Sequence, residues 1–442
     1  MFEIRAVGGY NEIGKNATAV KVGSDAFLFD CGIHLENFIQ YTEDEKLISA
    51  NSNDLMKIGA VPDISRIYDW RNELKAILPS HAHLDHIGAI PYLAGQLKAP
   101  IAGTPFTTEV IKTILNDEEI RIKNPIKTVQ PNNFIKLSND VKAEFIHTTH
   151  STPHSSMIAL HTKEGIILYA NDFKLDYSPI LGPRPNTKRL EELGKIGIKA
   201  LIADSTNAEV PSKTPSEAVA RQMLEDVLLG VNNKGKALIV TTFSSHIARL
   251  KSIIELGKKL GRKVVFLGRS LHKYSMAAER VGIVNFSKEV EMVKYKKQVK
   301  QELATIMRNK GKYLMVVTGH QGEPGSTLSR MASGELKFRF DSEDHVVFSC
   351  RTIPTATNIR NRERLEDDLR AKHVRLFMDI HTSGHGARED LRELINLTKP
   401  QNIIPSHGSL EMRRAFASLA QEMGYSQGKN VHMVKDGDSL KL

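Results

Sequence analysis

Four side chains that can bind a metal ion stand within six residues in the segment 81-HAHLDH-86. A short apolar run ends just before them and a glycine follows, so the pattern predicts a turn after a strand. Alternation places His81 and His83 on one side of this turn and directs Asp85 and His86 toward a neighbouring position. Imidazole and carboxylate are ligands that zinc accepts where no thiolate is offered, and manganese also accepts them. The segment therefore predicts a site for two metal ions rather than one.

Two metal ions need further ligands, and the sequence offers candidates at the ends of other apolar runs. His150, Asp172 and His407 each stand at such a position. Each is a weak signal by itself, because a single histidine more often lies in a core or on a surface than on a metal. Near the first candidate, His147 and His154 could also coordinate by residue type, so position alone favours His150 only modestly.

The elements that must position these side chains are short apolar runs, each followed at once by a polar or glycine-rich cluster. Such runs, rich in β-branched residues, predict buried strands. Strands that present polar groups at their ends are typical of α/β enzymes. The runs lie at residues 76–79, 167–170, 201–203, 264–267, 314–317 and 403–405.

The pattern of elements changes near residue 205, which at a length of 442 residues favours two domains. Residues 1–200 hold mainly strand-like runs. Beyond residue 205, helices alternate with strands, which predicts a parallel sheet. The predicted elements there are a helix capped by Ser216 and reaching Leu229, a strand over 237–241, a helix over 245–260 and a strand over 264–267.

Two further helices are predicted in the first and last parts of the chain. One spans 87–97 and tolerates Pro91 in its first turn. The other spans 409–423 and is followed by two short strands, as a closing α/β element.

Composition narrows the class of protein. Hydrophobic residues make up 40% and charged residues 25%, as in an ordinary globular protein, and no run approaches the length of a membrane span. Two cysteines, Cys31 and Cys350, are too few for a disulfide framework, and with no secretory signal visible we expect a cytoplasmic protein. The net charge of +10 suits a polyanionic partner. Two basic clusters, at 258–263 and 294–300, are candidate phosphate contacts or simply solvated helix surfaces.

Taken together, the ligand pattern resembles the metallo-β-lactamase superfamily. Several further segments resemble its β-CASP nucleases and, among them, the ribonuclease J family in its shorter archaeal form. These segments are 8-GGYNEIGKN-16, 30-DCG-32, 172-DFKLD-176, 204-DSTNAE-209, 268-GRS-270, 321-QGEP-324 and 383-SGHGAREDL-391. The resemblance implies an α/β fold: an αββα sandwich formed by residues 1–205 and 376–442, with a β-CASP domain inserted at 206–375.

The resemblance also implies roles for individual residues. One metal ion would be held by His81, His83 and His150, the other by Asp85, His86 and His407, with Asp172 bridging the two. Asp30 would support the histidines without binding metal. Asp204, His385 and His407 would be the three β-CASP motif residues, and the histidine at the third motif favours RNA over DNA.

These residues predict a metal-dependent ribonuclease with two zinc ions, or manganese ions, per chain, acting on single-stranded RNA. Asp85 would take or orient a proton, His385 would act near the leaving oxygen, and Asp204 would orient a histidine. Ser383, Gly384 and His385, with Ser244 and Arg269, are predicted to bind substrate, because glycine turns and helix starts hold phosphate. The expected activity runs 5′ to 3′ from a monophosphorylated end. We also expect a homodimer with no membrane association.

Three other functions fit part of this pattern. An endoribonuclease would share the metal site but would not depend on RNA ends. A glyoxalase II-like hydrolase would need neither a large insertion nor a basic surface. A non-catalytic RNA-binding scaffold would be expected to lose metal ligands, whereas every expected ligand position is filled here.

Overall fold

The chain forms two compact units in a computed structural model that describes residues 1–44 and 51–442. The first unit contains residues 1–177, 183–214 and 383–442, and the second contains residues 178–182 and 215–382. The domain limits predicted after residues 205 and 375 lie a few residues before these divisions.

The strands are numbered in chain order over the described residues. They are β1 (Phe2–Gly8), β2 (Ala17–Val22), β3 (Asp25–Phe29), β4 (Leu74–Leu78), β5 (Ile101–Gly103), β6 (Ile126–Thr128), β7 (Asn133–Lys136), β8 (Lys142–His147), β9 (Ser156–Thr162), β10 (Gly165–Ala170), β11 (Ile198–Asp204), β12 (Leu238–Thr241), β13 (Lys263–Leu267), β14 (Glu291–Val293), β15 (Tyr313–Val317), β16 (His345–Phe348), β17 (Arg375–Phe377), β18 (Ile403–Ser406) and β19 (Ser439–Lys441).

The α-helices are numbered in the same way, and short 3-10 helices lie at Ile64–Trp70, Phe286–Lys288 and Lys310–Lys312. The α-helices are α1 (Leu35–Asp44), α2 (Ser52–Lys57), α3 (Leu84–Ile87), α4 (Ile90–Leu97), α5 (Pro105–Asp117), α6 (Thr187–Ile196), α7 (Glu217–Gly230), α8 (Ile247–Lys259), α9 (Arg269–Arg280), α10 (Lys296–Met307), α11 (Thr327–Ala332), α12 (Ala356–Arg370), α13 (Arg388–Thr398) and α14 (Leu410–Glu422).

Two sheets face each other in the first unit. Their strand orders, over the part of the chain described, are β19-β1-β2-β3-β4-β5-β6 and β18-β11-β10-β9-β8-β7. Alternate apolar residues of both sheets, such as Phe27 and Phe145, meet in one buried core. The opposite face of the second sheet packs on α6, α13 and α14 through residues such as Leu168, Leu394 and Phe416.

Three strands of the second sheet lie parallel and end at the same edge. Strand β11 pairs in parallel with β10, where Ala170 lies opposite Ala203, and with β18, where Asp204 lies opposite Ser406. Residues that follow these strands are therefore brought to one place, as expected at the carboxyl ends of parallel strands.

A single parallel sheet forms the centre of the second unit. Within the described residues its strand order is β14-β13-β15-β12-β16-β17, and each of these neighbours pairs in parallel. The parallel sheet predicted from the alternating pattern is thus confirmed. The predicted N-cap is also confirmed, because the Ser216 hydroxyl accepts a hydrogen bond of 3.1 Å from the Ala218 N–H.

Other predicted elements were wrong in detail. The single helix predicted over 87–97 is divided into α3 and α4, because the Ala89 N–H donates to the Cys31 carbonyl. The helix predicted from residue 245 begins at Ile247, where His246 is the N-cap. Of the two strands predicted after residue 423, the described chain forms only β19, and Val431 makes isolated bridges.

Membrane insertion of a helix was not expected from the composition. Among the described residues, every helix is too short or too polar to cross a bilayer.

Candidate metal centre

The side chains predicted to bind metal meet at one edge of the first unit. The segment 81–86 follows β4, His150 follows β8, Asp172 follows β10 and His407 follows β18. Segments that are far apart in sequence are therefore joined by the sheet topology. They form two overlapping groups that share one carboxylate.

Three imidazoles and a carboxylate form the first group, which contains His81, His83, His150 and Asp172. The Nδ1 atom of His83 lies 3.0 Å from Nε2 of His81 and 3.1 Å from Nε2 of His150. The Oδ2 atom of Asp172 lies 3.4 Å and 3.5 Å from the same two Nε2 atoms. Three ring nitrogens and one carboxylate oxygen thus point at a common centre.

The second group contains Asp85, His86, Asp172 and His407. The Oδ1 atom of Asp172 lies 3.2 Å from Nε2 of His86 and 3.3 Å from Nε2 of His407. The Oδ2 atom of Asp85 lies 3.5 Å and 3.8 Å from these two nitrogens. Because its two oxygens face different groups, Asp172 has the geometry of a bridging ligand.

The donor atoms at this edge fit divalent cations. Both ring nitrogens of His407 and Oδ1 of Asp172 are buried and have no hydrogen-bond partner among the described residues. Buried polar atoms normally have a hydrogen-bond partner. A role as metal ligands explains why these atoms have none. Burial lowers the pKa of His81 and of His150 well below the ordinary value, which leaves neutral imidazoles with free lone pairs.

Asp30 orients two of the histidines from behind. Its carboxylate accepts a hydrogen bond of 2.7 Å from Nδ1 of His86 and bonds from the backbone and hydroxyl of Ser80. The Ser80 hydroxyl lies 3.0 Å from Nδ1 of His81, and the Tyr169 hydroxyl donates to Asp30 at 2.8 Å. Holding Nδ1 in this way leaves Nε2 of each ring to face the centre.

Close backbone approach also shapes the centre. A Cβ atom at Gly32 would collide with the carbonyl of Asp85, so the 30-DCG-32 turn can lie against the ligand turn only with glycine there. Asp30, Asp172 and His407 have left-handed φ values of 55°, 53° and 50°. Non-glycine residues rarely adopt this conformation, and its concentration here is typical of a functional site.

His385 and Asp204 lie beside the ligands. The Nδ1 atom of His385 donates to Oδ2 of Asp204 at 2.7 Å, and Nε2 lies 3.9 Å from Asp172. Burial by itself would lower the pKa of His385. The carboxylates of Asp204 and Asp172 have the larger, opposite effect and raise this pKa to about 9. Asp204 is itself fixed by the Thr206 N–H at 2.7 Å. The structure therefore places His385 with one ring nitrogen anchored and the other directed at the ligand cluster.

Ser383 and Gly384, predicted to bind substrate, have contacts within the first unit. The Ser383 hydroxyl accepts from the His385 N–H at 3.0 Å and from the Asn207 amide at 2.9 Å. The Gly384 carbonyl accepts from Nδ1 of His150 at 2.7 Å, and a Cβ there would meet the His150 ring. These contacts show both residues positioning histidines, and substrate contact by them stays a prediction.

The other two predicted substrate residues belong to the second unit. The Ser244 hydroxyl lies 2.9 Å from the Ser270 hydroxyl, and Arg269 is the exposed first residue of α9. They thus follow β12 and β13, at the carboxyl edge of the parallel sheet.

Sequence reasoning missed several residues that support the centre. Asn16 donates its amide to the Asp85 carbonyl at 3.1 Å and lies 3.1 Å from Nε2 of His86. Thr214 donates to the His385 carbonyl at 2.7 Å, and Ser80 and Tyr169 hold Asp30. Polar residues directly beside predicted ligands, such as Ser80, could have been found from their position, whereas Thr214 gives no signal in the sequence.

Comparison with family models finds three matches along the chain. Residues 10–268 match the metallo-beta-lactamase superfamily, residues 235–363 match the beta-CASP domain of ribonuclease J, and residues 373–434 match the RNA specificity domain of Zn-dependent metallo-hydrolases.

Similar proteins extend over the whole chain. Ribonuclease J of Methanocaldococcus jannaschii is 40% identical over 442 residues, covering 100% of this chain and 98% of that protein. Ribonuclease J of Pyrococcus abyssi is 42% identical over 444 residues, covering 100% and 97%. Ribonuclease J 1 of Streptococcus pyogenes is 31% identical and covers 99% of this chain but 74% of its own length. A crystal structure of a protein of unknown function from Enterococcus faecalis has the same fold, with a TM-score of 0.69, 18% identity and full coverage of both chains.

Proposed function

The chain belongs to the ribonuclease J family of the metallo-β-lactamase superfamily, and we propose that it is a metal-dependent ribonuclease that hydrolyses RNA phosphodiester bonds. The family and the fold expected from the sequence, a metallo-β-lactamase core with an inserted β-CASP domain, are confirmed by the matches to both domain models.

One observation carries the proposal more than any other. Seven side chains from four separate segments converge in two ligand groups that share Asp172. Cations held by these residues would supply charge stabilisation for the hydrolysis of a phosphodiester. A structural site for a single ion would need only four ligands and would be closed by them.

We propose that the cations are two zinc ions per chain. Five of the seven ligands are histidines and two are aspartates, a set that suits zinc and leaves manganese as the second choice. When bound, the cations lower the pKa of coordinated water and offset the charge that builds on the phosphoryl oxygens.

Within the chain, each neighbouring residue has a distinct task in this proposal. The Asp85 side chain is 26% exposed whereas His86 and Asp172 are buried, so this carboxylate is within reach of solvent, and in the proposal it orients the attacking water and accepts its proton. His385 directs Nε2 into the site and stabilises the leaving oxygen. Asp204 holds the His385 ring through Nδ1, and the Gly384 carbonyl does the same for His150.

Replacing His385 with alanine should lower kcat for RNA hydrolysis by about 10²-fold or more, with KM changed far less, since general acid–base groups contribute about 10²- to 10⁴-fold. The metal content should stay at the wild-type level, because Nδ1 of His385 is engaged by Asp204 and Nε2 is 3.9 Å from the nearest ligand oxygen. Steady-state kinetics and metal analysis of the same preparation measure both quantities.

His432→Ala is a matched control, since this half-buried histidine of the same unit also makes one side-chain hydrogen bond, to Asn402. Its kinetics should equal those of the wild type. If His385→Ala retained kcat within about threefold of the wild type, His385 would have no part in the chemistry.

We further propose that hydrolysis runs 5′ to 3′ and prefers a 5′-monophosphate. This rests on the family resemblance and on Ser244 and Arg269 at the carboxyl edge of the parallel sheet, where phosphates bind in open α/β sheets. RNA with a 5′-monophosphate should be degraded to mononucleotides faster than 5′-triphosphate or 5′-hydroxyl RNA. Equal rates of degradation for all three RNAs would show that the chain has no preference for a 5′-monophosphate.

A circular RNA separates this activity from internal cutting, since it has no end. An endoribonuclease with the same metal centre would open the circle, and the exonuclease would leave it intact. The homodimer implied by the resemblance stays a prediction, which sedimentation velocity tests.

A further inference from the structure

Two basic clusters in the second unit look alike in sequence but differ in their partners. In the cluster at 258–263, the ammonium groups of Lys258, Lys259 and Lys263 pair with Glu289, Glu225 and Glu291 at 2.6, 2.9 and 2.5 Å. Arg262 is buried and donates to backbone carbonyls, including that of Tyr313 at 3.0 Å. Each lysine of this cluster therefore already has a carboxylate partner within the unit, and Arg262 is directed inward.

The cluster at 294–300 is different. Lys296, Lys297 and Lys300 are exposed, Lys294 is half-buried, and none of the four forms an ion pair among the described residues. Along α10, the positions one turn after Lys296 and Lys297 are Lys300 and Gln301, and the carboxylate of this helix, Glu302, is not spaced three or four residues from any lysine of the cluster. Four positive charges therefore face solvent together.

An aromatic ring stands among these charges. Tyr295 is 58% exposed, although large aromatic residues are usually buried, and Nζ of Lys294 lies 5.4 Å from the centre of its ring. Folding leaves the apolar surface of this ring exposed, so covering the ring with a ligand would be favourable. The ring is therefore available to a ligand that has both a flat face and negative charge.

The cluster at 294–300 begins at the carboxyl edge of the parallel sheet. Val293, the last residue of β14, lies opposite Leu267, the last residue of β13, and accepts a hydrogen bond of 3.0 Å from the Gly268 N–H. Tyr295 stands two residues after the end of β14, and Arg269 stands two residues after the end of β13, so both follow the same edge of the sheet. The carboxyl edge of a parallel sheet is the usual place for ligands in open α/β folds.

We propose that Tyr295, together with Lys294, Lys296 and Lys297, binds single-stranded RNA, with a base stacked on the ring and phosphates on the lysines. The inference rests on the proposed function, because it takes RNA as the substrate class and adds a contact on the second unit. Unpaired bases expose the flat faces that stack on aromatic side chains, whereas bases within a duplex do not. An acidic protein surface would satisfy the lysines but would leave the ring without a partner.

The test measures binding of fluorescent oligouridine to the full chain carrying Asp85→Asn, which keeps the RNA intact. Adding Tyr295→Ala should weaken binding about 5- to 100-fold, and Tyr295→Phe should bind within about twofold of the parent, because stacking needs the ring and not its hydroxyl. The double variant Lys296→Ala with Lys297→Ala should have a slope of log affinity against log salt concentration that is smaller in magnitude by about 1.4. This is the value for two phosphate contacts on a single strand.

Lys258→Ala with Lys259→Ala is the matched control, since it also removes two lysines from a helix of this unit, but lysines that are already paired. Its affinity and salt slope should equal those of the parent. Equal losses from the two lysine pairs, unchanged binding by Tyr295→Ala in a folded chain, or competition by inorganic polyphosphate as strong as by oligouridine would each overturn the inference.

RNA hydrolysis by chains without the Asp85→Asn substitution distinguishes the RNA-binding proposal from the proposed function. If the wild-type chain degrades RNA while Tyr295→Ala binds and degrades long RNA as the wild type does, the stacking contact is wrong and the proposed function stands. If the wild-type chain cleaves no RNA under any metal, the proposed function is wrong, and the binding measurements still decide whether the cluster at 294–300 holds a single strand.

Discussion

Replacing Asp172 with alanine should lower the rate of RNA hydrolysis by about 10³-fold or more. Its two carboxylate oxygens face different ligand groups, so the change removes a ligand from both. Metal ions contribute several kcal/mol of transition-state stabilisation, and each ~1.4 kcal/mol corresponds to a factor of ten in rate. Initial rates on a 5′-monophosphorylated RNA measure the effect.

Asp140→Ala is a suitable control, because Asp140 is an exposed aspartate of the same unit and its ion pair is with the exposed Lys163. Its rate should equal that of the wild type. A chain with Asp172→Ala that folds, as judged by circular dichroism, and still hydrolyses RNA at a rate close to that of the wild type would show that Asp172 does not bridge the metal centre.

The largest effect on stability is expected from Arg249→Met in the second unit. Arg249 is fully buried, its Nη2 donates to Oε2 of Glu217 at 2.8 Å, and its Nη1 donates to the hydroxyl of Ser349 at 2.7 Å and the carbonyl of Ile380 at 3.1 Å. Methionine fills much of the volume but leaves the buried Glu217 carboxylate without its guanidinium. Breaking one side of a buried ion pair costs about 3–5 kcal/mol. Urea denaturation followed by circular dichroism measures the change in the free energy of unfolding.

Arg221→Met tests whether burial is the cause. Arg221 pairs with Glu255 between α7 and α8 of the same unit, but both side chains are partly exposed. Exposed pairs contribute about 0–1 kcal/mol, so this change should cost far less than Arg249→Met. Similar losses of stability for both variants would show that burial of the ion pair is not the cause of the effect of Arg249→Met.

The sequence predicts which side chains converge in the two ligand groups, because candidate ligands are concentrated at strand ends. Four ligand-type residues in six, as in 81-HAHLDH-86, have few structural explanations, and the apolar run before them predicts the strand that positions them. The isolated ligands were harder. His150 could be distinguished from His147 only weakly by position, and the structure shows the difference: Nε2 of His147 is engaged by the Pro183 carbonyl at 3.1 Å.

The supporting hydrogen bonds could not be predicted in the same way. Tyr169 reaches Asp30 across 139 residues of sequence, and Thr214 reaches His385 across 171 residues. Such pairs depend on the register of the sheet and on loop paths, which no local pattern contains. Residues that repeat a common local type, like Thr214, become recognisable only when their partner is known.

The sequence also does not show which charged side chains are paired in the fold. The clusters at 258–263 and 294–300 have similar composition, and from the sequence both are equally suited to phosphate. Folding brings carboxylates to Lys258, Lys259 and Lys263 from other elements and brings none to the second cluster within the described residues. A basic run is therefore a candidate for binding a polyanion only after its partners in the fold are known.

The most direct test of the metal centre is the metal content of the purified full chain, measured by mass spectrometry beside the rate of RNA hydrolysis. The two ligand groups predict two divalent ions per wild-type chain, and a chelator should remove the ions and the activity together, both returning when zinc or manganese is added. A wild-type chain that hydrolyses RNA at its full rate with one ion or none would contradict a paired centre bridged by Asp172.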